Sequence, residues 1–276
     1  MAAPSIALTL ALLGVPLVVL TCYSFWEVDG YVIVSNWNID NYLEVIRRYS
    51  WVLLHTFTVG LEVGLFSSAA ALPVAYAIRF KLGRTQNVVL FLLLAALFSG
   101  YLVRIYAWRI ILGDHGILNS MLQWIGLTDG PLDIFLYNRF SLIVTQMGFL
   151  LPLAILPIYS ALQNLPKERL EASHDLGAGR LETFWRVVTP EIAVATGISF
   201  SLCMALSSGD FLTPTLVGGP KGFMVGQAIA RQFGTAFDWP LGSALALATG
   251  LVLVLLVTLA LRTAIWWQTR LTRSVG

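Results

Sequence analysis

Six apolar stretches, each long enough to cross a lipid bilayer as a helix, dominate this sequence. They run over residues 4–24, 51–78, 88–108, 140–161, 191–212 and 241–265. A hydrocarbon core of about 30 Å needs about 20 apolar residues in a helix, and a helix satisfies its own backbone hydrogen bonds where no water is present. The sequence therefore predicts an all-α membrane protein with six transmembrane helices.

The composition agrees with this fold class. Of the 276 residues, 57% are hydrophobic and 12% are charged, and the mean hydropathy is +0.78. Soluble domains carry roughly twice that charged fraction. A formal charge of +2 is too small to suggest a nucleic-acid partner. No repeat or linker divides the sequence, so we expect residues 1–276 to form a single membrane domain.

Basic residues collect in the segments between alternate stretches, and this sets the predicted orientation. Lys and Arg in short loops favour the cytoplasmic side. With the amino terminus inside, the inner segments carry Arg79, Lys81, Arg84, Lys167, Arg169, Arg180, Arg186, Arg270 and Arg273. Both termini and the 164–190 segment are therefore predicted to be cytoplasmic. Segments 25–50, 109–139 and 213–240, rich in Trp, Tyr, Gly, Pro and Asn, should form interfacial helices and turns on the other side.

The 164–190 segment is charged although apolar stretches flank it. Its sequence predicts a helix after Pro166 and a turn at Gly177 and Gly179. A second apolar pattern at helical spacing then runs until Pro190 breaks it. The predicted helix, turn and helix would leave an apolar surface exposed, and such a surface favours a protein partner.

This segment resembles the cytoplasmic signature of permease subunits from binding-protein-dependent ABC importers, which has the form E-A-A-x3-G-x9-I-x-L-P. Glu171, Ala172 and Ser173 match the triplet, Gly177 the glycine and Pro190 the proline. Ser173, Val187 and Thr189 depart from the pattern by small or shape-conserving changes. The resemblance implies the type I importer permease fold, with a coupling helix that docks on a cytoplasmic ATPase subunit. The implied coupling residues are Glu171, Ala172, Ser173, Asp175, Leu176, Gly177 and Pro190.

Further segments are similar to the spermidine/putrescine-type permeases, particularly the first of their two permease subunits. These segments are YLVRIYAWRIILGDHGILNSMLQWIGL, LYNRFSLIVTQMGFLLPLAILPIYSAL, GDFLTPTLVGGPKGFMVGQAIARQF and DWPLGSALAL. The resemblance implies a multi-pass subunit of the bacterial inner membrane that works with a second permease, two copies of an ATPase and an extracytoplasmic substrate-binding protein. The expected substrate is a polyamine or a related cation, with an amino-acid derivative or an iron complex as alternatives.

Two carboxylates are candidates for the substrate path. Asp210, in SSGDFLTP, follows an apolar stretch; it either faces the path and meets a cationic group or lies at a solvated helix end on the outer side. Glu62 lies near the middle of the second stretch, in GLEVGLF. A carboxylate inside a membrane is costly and is a functional candidate by default, although a structural hydrogen bond or helix contact is the alternative.

Three residues of the third stretch, in YLVRIYAWR, are further candidates. Arg104 would favour an anionic or zwitterionic solute, unless its side chain simply extends to the headgroups. Tyr106 and Trp108 could stack on a cation, or belong to an interfacial aromatic belt.

The sequence contains no phosphate-binding loop, no metalloprotease motif and no nucleophile elbow. We therefore expect a non-catalytic subunit that binds no cofactor or metal itself, with ATP and Mg on the partner ATPase. A secondary transporter or channel is the competing class, but neither needs the predicted helix-turn-helix on the cytoplasmic side.

Overall fold

A computed structural model of the chain describes residues 3–30 and 32–275. Its α-helices are α1 (Ala3–Ser24), α2 (Asp40–Phe80), α3 (Gln86–Phe98), α4 (Tyr101–Leu112), α5 (Ile117–Trp124), α6 (Arg139–Gln163), α7 (Lys167–Asp175), α8 (Arg180–Thr183), α9 (Thr189–Ser208), α10 (Val225–Phe233) and α11 (Trp239–Val275). Strands β1 (Glu27–Asp29) and β2 (Val32–Val34) pair antiparallel, with Val28 opposite Ile33.

Within the described ranges, four helical segments are long and apolar enough to cross a membrane. They are Asp40–Phe80, Arg139–Gln163, Arg180–Ser208 and Trp239–Arg270, and a fifth is present if the bent pair Gly83–Phe98 and Tyr101–Trp124 counts as one span. The first predicted stretch forms α1, in which Gly14–Ser24 is a shorter apolar helix. The total of six transmembrane helices stays a prediction.

The third predicted span, over 88–108, is broken instead of continuous. Ser99 is extended, with φ −67° and ψ 143°, and Gly100 has φ −55° and ψ 129° before α4 begins. The two halves of the bent pair meet at an angle of 99°. Because α4 turns away from α3, residues on α4 lie across the helix bundle and not at the outer end of a straight span.

Helices α2, α6 and α9 pack on one another at the centre, and α11 packs on α2 and α9. Their buried side chains, including Val63, Ile78, Leu150, Ile155 and Cys203, form the main apolar core. A second cluster joins the start of α2 to α10 and α11. At one end of the bundle, Arg79 Nε donates to the Leu162 carbonyl at 3.2 Å, which ties the end of α2 to the end of α6 beside α7. We call this end, with α7, Arg79 and Lys81, the α7 face.

Two glycines allow α2 and α9 to approach closely. Gly60 and Gly64 are spaced by four residues and lie on one face of α2. A Cβ at Gly64 would lie 2.9 Å from the Phe200 carbonyl oxygen, and a Cβ at Gly60 would overlap the Ser208 hydroxyl. Small residues at this spacing let helix backbones pack closely within a membrane, where dispersion contacts replace the hydrophobic effect.

Pro190 does not end the second helix of the 164–190 segment, so that prediction is wrong. Helical structure runs from Arg180 to Ser208, with a π-helical turn over Phe184–Val188. In this turn the Thr189 N–H and hydroxyl both reach the Phe184 carbonyl, the hydroxyl at 2.9 Å. The wider turn accommodates a proline that an α-helical turn would reject.

The Gly64→Ala substitution should separate α2 from α9 and destabilise the fold by about 1–3 kcal/mol, because the Phe200 carbonyl cannot move without its helix. Thermal unfolding of the purified protein in detergent measures this as a lower midpoint. Gly250→Ala is the matched control, since no atom lies within 4 Å of a Cβ at Gly250 in α11. An equal loss of stability in both variants would contradict the close α2–α9 contact.

Candidate functional site

The 164–190 segment forms a helix, a turn and a second helix, as predicted. Gly177 has φ +84°, a left-handed conformation that glycine adopts without strain, and it reverses the chain after α7. Gly179 has an ordinary φ of −69° and lies immediately before α8. The Ser173 and Thr183 hydroxyls hydrogen-bond at 2.9 Å, and Arg169 forms an ion pair with Glu191 at 3.7 Å. These two contacts attach α7 to the helix that continues into α9.

A cleft with a volume of about 460 Å³ lies between α7 and the second helix. The predicted coupling residues Ala172, Ser173, Leu176 and Gly177 line it, together with Val187. Glu171 and Asp175 lie on the exposed side of α7, and in the described part of the chain Glu171 takes part in no ion pair. Pro190 is buried against the bundle.

The apolar side chains of this segment point in two directions. Leu170 and Phe184 pack against the main core, and Val188 is buried. Leu176, Leu181 and Trp185 are 89%, 72% and 56% exposed. Such apolar exposure on a charged segment suits a protein partner. We call Glu171, Leu176 and Leu181 the α7 docking surface.

A separate cavity of about 350 Å³ brings Arg104 and Asp210 together. Apolar side chains of α6, with Leu206 of α9, form much of its wall, and Tyr101 adds a hydroxyl. The two ionisable candidates that sequence analysis placed in different stretches therefore share one site.

Asp210 is only 8% exposed, so the alternative of a solvated helix end is wrong. Its Oδ1 accepts from the backbone N–H groups of Leu212 at 2.9 Å and Thr213 at 3.1 Å. Its Oδ2 accepts from Gln146 Nε2 at 3.0 Å. The carboxylate thus caps the short helical segment that follows it.

Sequence analysis missed the groups that hold Asp210. Gln146 and Ser207 are fully buried, and Ser207 Oγ donates to Gln146 Oε1 at 2.6 Å. The Tyr101 and Thr213 hydroxyls hydrogen-bond at 3.0 Å on the neighbouring side. A glutamine inside an apolar stretch is an available signal, because an amide at membrane depth needs hydrogen-bond partners.

Arg104 is held across the break between α3 and α4. Its Nη2 donates to the Ser99 carbonyl at 3.2 Å and its Nη1 to the Phe149 carbonyl at 3.4 Å. The guanidinium lies 5.8 Å from the centre of the Phe149 ring. Arg104 Nε is buried and has no hydrogen-bond partner among the described residues. The side chain therefore turns into the bundle and does not extend to the headgroups.

Tyr106 and Trp108 do not line this cavity. Tyr106 is 48% exposed and lies about 100° around α4 from buried Ile105. Trp108 packs on α6, where a Cβ at Gly148 would overlap its indole ring. The structure thus places Trp108 in a helix contact and Tyr106 on the outer surface of the subunit.

Glu62 also lies outside the cavity. It forms a bidentate ion pair with Arg139, the first residue of α6. Arg139 Nη2 donates to Glu62 Oε1 at 2.7 Å and Arg139 Nε to Oε2 at 2.9 Å, and His55 Nδ1 lies 3.4 Å from Arg139 Nη1. This ion pair is the structural helix contact that sequence analysis named as the alternative role for Glu62.

The part of the chain that the structure describes holds no group of three or more His, Cys, Asp or Glu side chains that could bind a metal ion.

Comparisons with known proteins agree with this architecture. Residues 3–273 match the family described as "Binding-protein-dependent transport system inner membrane component". The chain is 31% identical over 230 residues to the spermidine/putrescine transport system permease protein PotB of Escherichia coli (strain K12), covering 83% of each chain. It is 29% identical over 249 residues to the protein of that name from Haemophilus influenzae, covering 88% of this chain and 85% of the relative.

Among solved structures, the chain resembles a subunit in the crystal structure of a bacterial alginate ABC transporter in complex with an alginate pentasaccharide-bound periplasmic protein. The TM-score is 0.77 at 17% identity, covering 94% of this chain and 91% of that chain. At this identity the likeness shows a shared fold.

Removing one partner of the Glu62–Arg139 pair should lower the free energy of unfolding by about 1 kcal/mol, since both side chains are more than one-third exposed to screening solvent. Thermal unfolding of E62Q, R139Q and the swapped variant E62R/R139E measures this, and the swap should recover part of the loss. The exposed Glu44–Arg48 pair supplies the control E44Q, which should change stability less. A swap no better than the sum of the two single changes would contradict the pairing.

Proposed function

Because the chain belongs to the family of inner membrane components of binding-protein-dependent transport systems, we propose that it imports a polyamine or a related cation. The chain is a permease subunit of an ABC importer, a non-catalytic, multi-pass component of the inner membrane. The observation that carries the substrate proposal is the 31% identity, over 83% of the chain, to spermidine/putrescine permeases.

In the proposed transporter, this subunit pairs with a second permease and with two copies of an ATPase that holds ATP and Mg. An extracytoplasmic binding protein delivers the substrate to the side opposite the α7 face. The exposed Leu176 and Leu181 support an ATPase at the α7 docking surface, because exposing large apolar side chains to water is unfavourable. The basic residues of the α7 face support a cytoplasmic location for it and for both termini.

We propose that α7 is the coupling helix. Contacts to Thr183 and Glu191 attach α7 to a helix that continues through the π-helical turn to Ser208. Asp210 follows two residues later and lines the cavity. A shift of α7 when the ATPase closes would therefore reach the cavity through one continuous helix. By this connection nucleotide state would bias an equilibrium between inward-open and outward-open states.

The charges of the cavity support a cationic solute through Asp210. The Asp210 carboxylate lines the cavity, and because it is already buried it pays little further desolvation on meeting an ammonium group. Glu62, whose carboxylate is neutralised by Arg139, is not needed for this role. We therefore assign the substrate path to Asp210 and its neighbours around the cavity.

A second candidate solute is anionic or zwitterionic. The observation that favours it is Arg104, which lines the same cavity and whose buried Nε has no acceptor in the described residues. An amino-acid derivative could place its carboxylate near Arg104 and its amine near Asp210. Competition between such solutes and polyamines in transport assays separates the two candidates.

Glu171→Ala should weaken binding of the ATPase at least tenfold while leaving membrane insertion intact, because it removes a charge that points away from the bundle. The measurement is ATP turnover by the transporter assembled with its ATPase, second permease and polyamine-loaded binding protein. Glu168→Ala is the matched control, since it removes an exposed acid one turn earlier in α7. Unchanged stimulation of turnover in Glu171→Ala would refute the coupling assignment.

Asp210→Asn should reduce polyamine uptake at least tenfold with little effect on assembly. An asparagine oxygen can still accept from the Leu212 and Thr213 N–H groups, and the Gln146 amide can reverse to accept from the new NH2 while Ser207 Oγ becomes the acceptor. The cap therefore survives while the negative charge is lost. Uptake of labelled spermidine into proteoliposomes is the measurement, with E62Q as the control carboxylate. Normal polyamine uptake by Asp210→Asn would return this residue to a purely structural role.

A further inference from the structure

A polar cavity of about 410 Å³ lies on the α7 face between the end of α2 and the start of α8. Its charged lining residues are Lys81 and Arg180, with Tyr76, Thr183, Phe184 and Val188 around them. In the described part of the chain neither cation takes part in an ion pair, because the four pairs there involve other basic residues. The cavity therefore presents two positive charges and no carboxylate to balance them.

The position of this cavity in the membrane is set by the two helices that form it. Lys81 directly follows α2, and Arg180 begins the apolar segment Arg180–Ser208; both segments are long enough to span. The two cations therefore stand where two spans leave the hydrocarbon, at the level of the lipid headgroups. Basic pockets between membrane helices at this level recognise lipid phosphate groups.

An apolar groove of about 540 Å³ lies next to the cavity, between α2, α9 and α11. Its lining includes Leu72, Ile192, Phe200 and Trp267. Phe184 lines both spaces, and Leu72 of the groove lies one helical turn before Tyr76 of the cavity. The groove thus runs from the cationic cavity towards the middle of the membrane.

We propose that an anionic phospholipid of the leaflet on the α7 face binds here, with its phosphate between Lys81 and Arg180 and an acyl chain in the groove. The phosphate would lie between two cations that have no ion-pair partner, and the acyl chain would pack against the apolar side chains of the groove. A free phosphate ion would fill the cavity and leave the groove unused, so the pair of adjoining spaces favours a lipid. The bound lipid would connect the end of α2 to Arg180, three residues after the Gly177 turn.

Trp185 and Trp267 line the groove, so their fluorescence can report whether a lipid occupies it. The full-length protein is reconstituted in bilayers with a small mole fraction of brominated phosphatidylglycerol or brominated phosphatidylcholine, because bromine quenches tryptophan on contact. Subtracting the signal of W185F/W267F isolates the groove from the other seven of the nine tryptophans. The expected result is half-maximal groove quenching at roughly tenfold less brominated phosphatidylglycerol than phosphatidylcholine.

The variant K81Q/R180Q should lose this preference, and the charge-conserving K81R/R180K should keep it. The matched control is R84Q/K167Q, which removes two exposed cations of the same face that do not line the cavity. Filling the groove with A193F should lower quenching by both lipids. These fluorescence measurements do not depend on transport, so their results test the lipid site independently of the polyamine proposal.

Four outcomes would overturn the lipid site. Equal quenching by the two lipids in the wild type removes the headgroup preference, and an equal loss in R84Q/K167Q assigns it to general surface charge. Displacement of the brominated lipid by millimolar inorganic phosphate would make the cavity a free-phosphate site. Absence of groove quenching in the assembled transporter would show that a protein partner covers the groove.

Discussion

A helix that is interrupted inside a membrane exposes backbone groups that no water can reach, and this constraint organises the structure. At four irregular places in the described part of the chain, a side chain hydrogen-bonds to the backbone. Arg104 donates to the Ser99 carbonyl where α3 ends, and Asp210 accepts from two N–H groups after α9. Thr189 reaches the Phe184 carbonyl in the π-helical turn, and Ser141 donates to the Val217 carbonyl at 2.8 Å. These polar residues thus stabilise irregular backbone, in addition to any role in transport.

The same constraint explains why the two ionisable candidates meet. The break at Ser99 turns α4 across α6, and the end of α9 turns the following segment towards the same place. Arg104 and Asp210 each stabilise one of these irregular segments, so they arrive at a common cavity from opposite sides. Irregular backbone inside a membrane protein is tolerated where it is buried or lines a cavity. The candidate site is therefore located where the fold is least regular.

Sequence analysis recovered the features that depend on local composition. The long apolar stretches correspond to α2, α6, α9 and α11, because a spanning helix needs apolar residues along its whole length. The Gly177 turn also followed from one residue type at one position. The resemblance of the 164–190 segment to a permease signature led to the family that residues 3–273 match.

The features that sequence analysis missed depend on distant residues. The ion pair of Glu62 could not be predicted, because its partner Arg139 lies 77 positions later, beyond the reach of any periodicity argument. The break in the third stretch involves no proline, and a single glycine at position 100 is a weak signal in a membrane helix. Pro190 was read by its usual effect on an α-helix, whereas a wider turn absorbs it.

That wider turn also fixes a rotational relationship between the two ends of the continuous helix. A π-helical turn holds one more residue than an α-helical turn, and each residue of an α-helix advances the direction of the side chains by about 100°. The number of residues between Gly177 and Pro190 therefore sets which way the α7 docking surface faces relative to the sides of α9. Loss of one residue from Phe184–Val188 would leave every other side chain chemically intact and still turn that surface by about a quarter of a revolution.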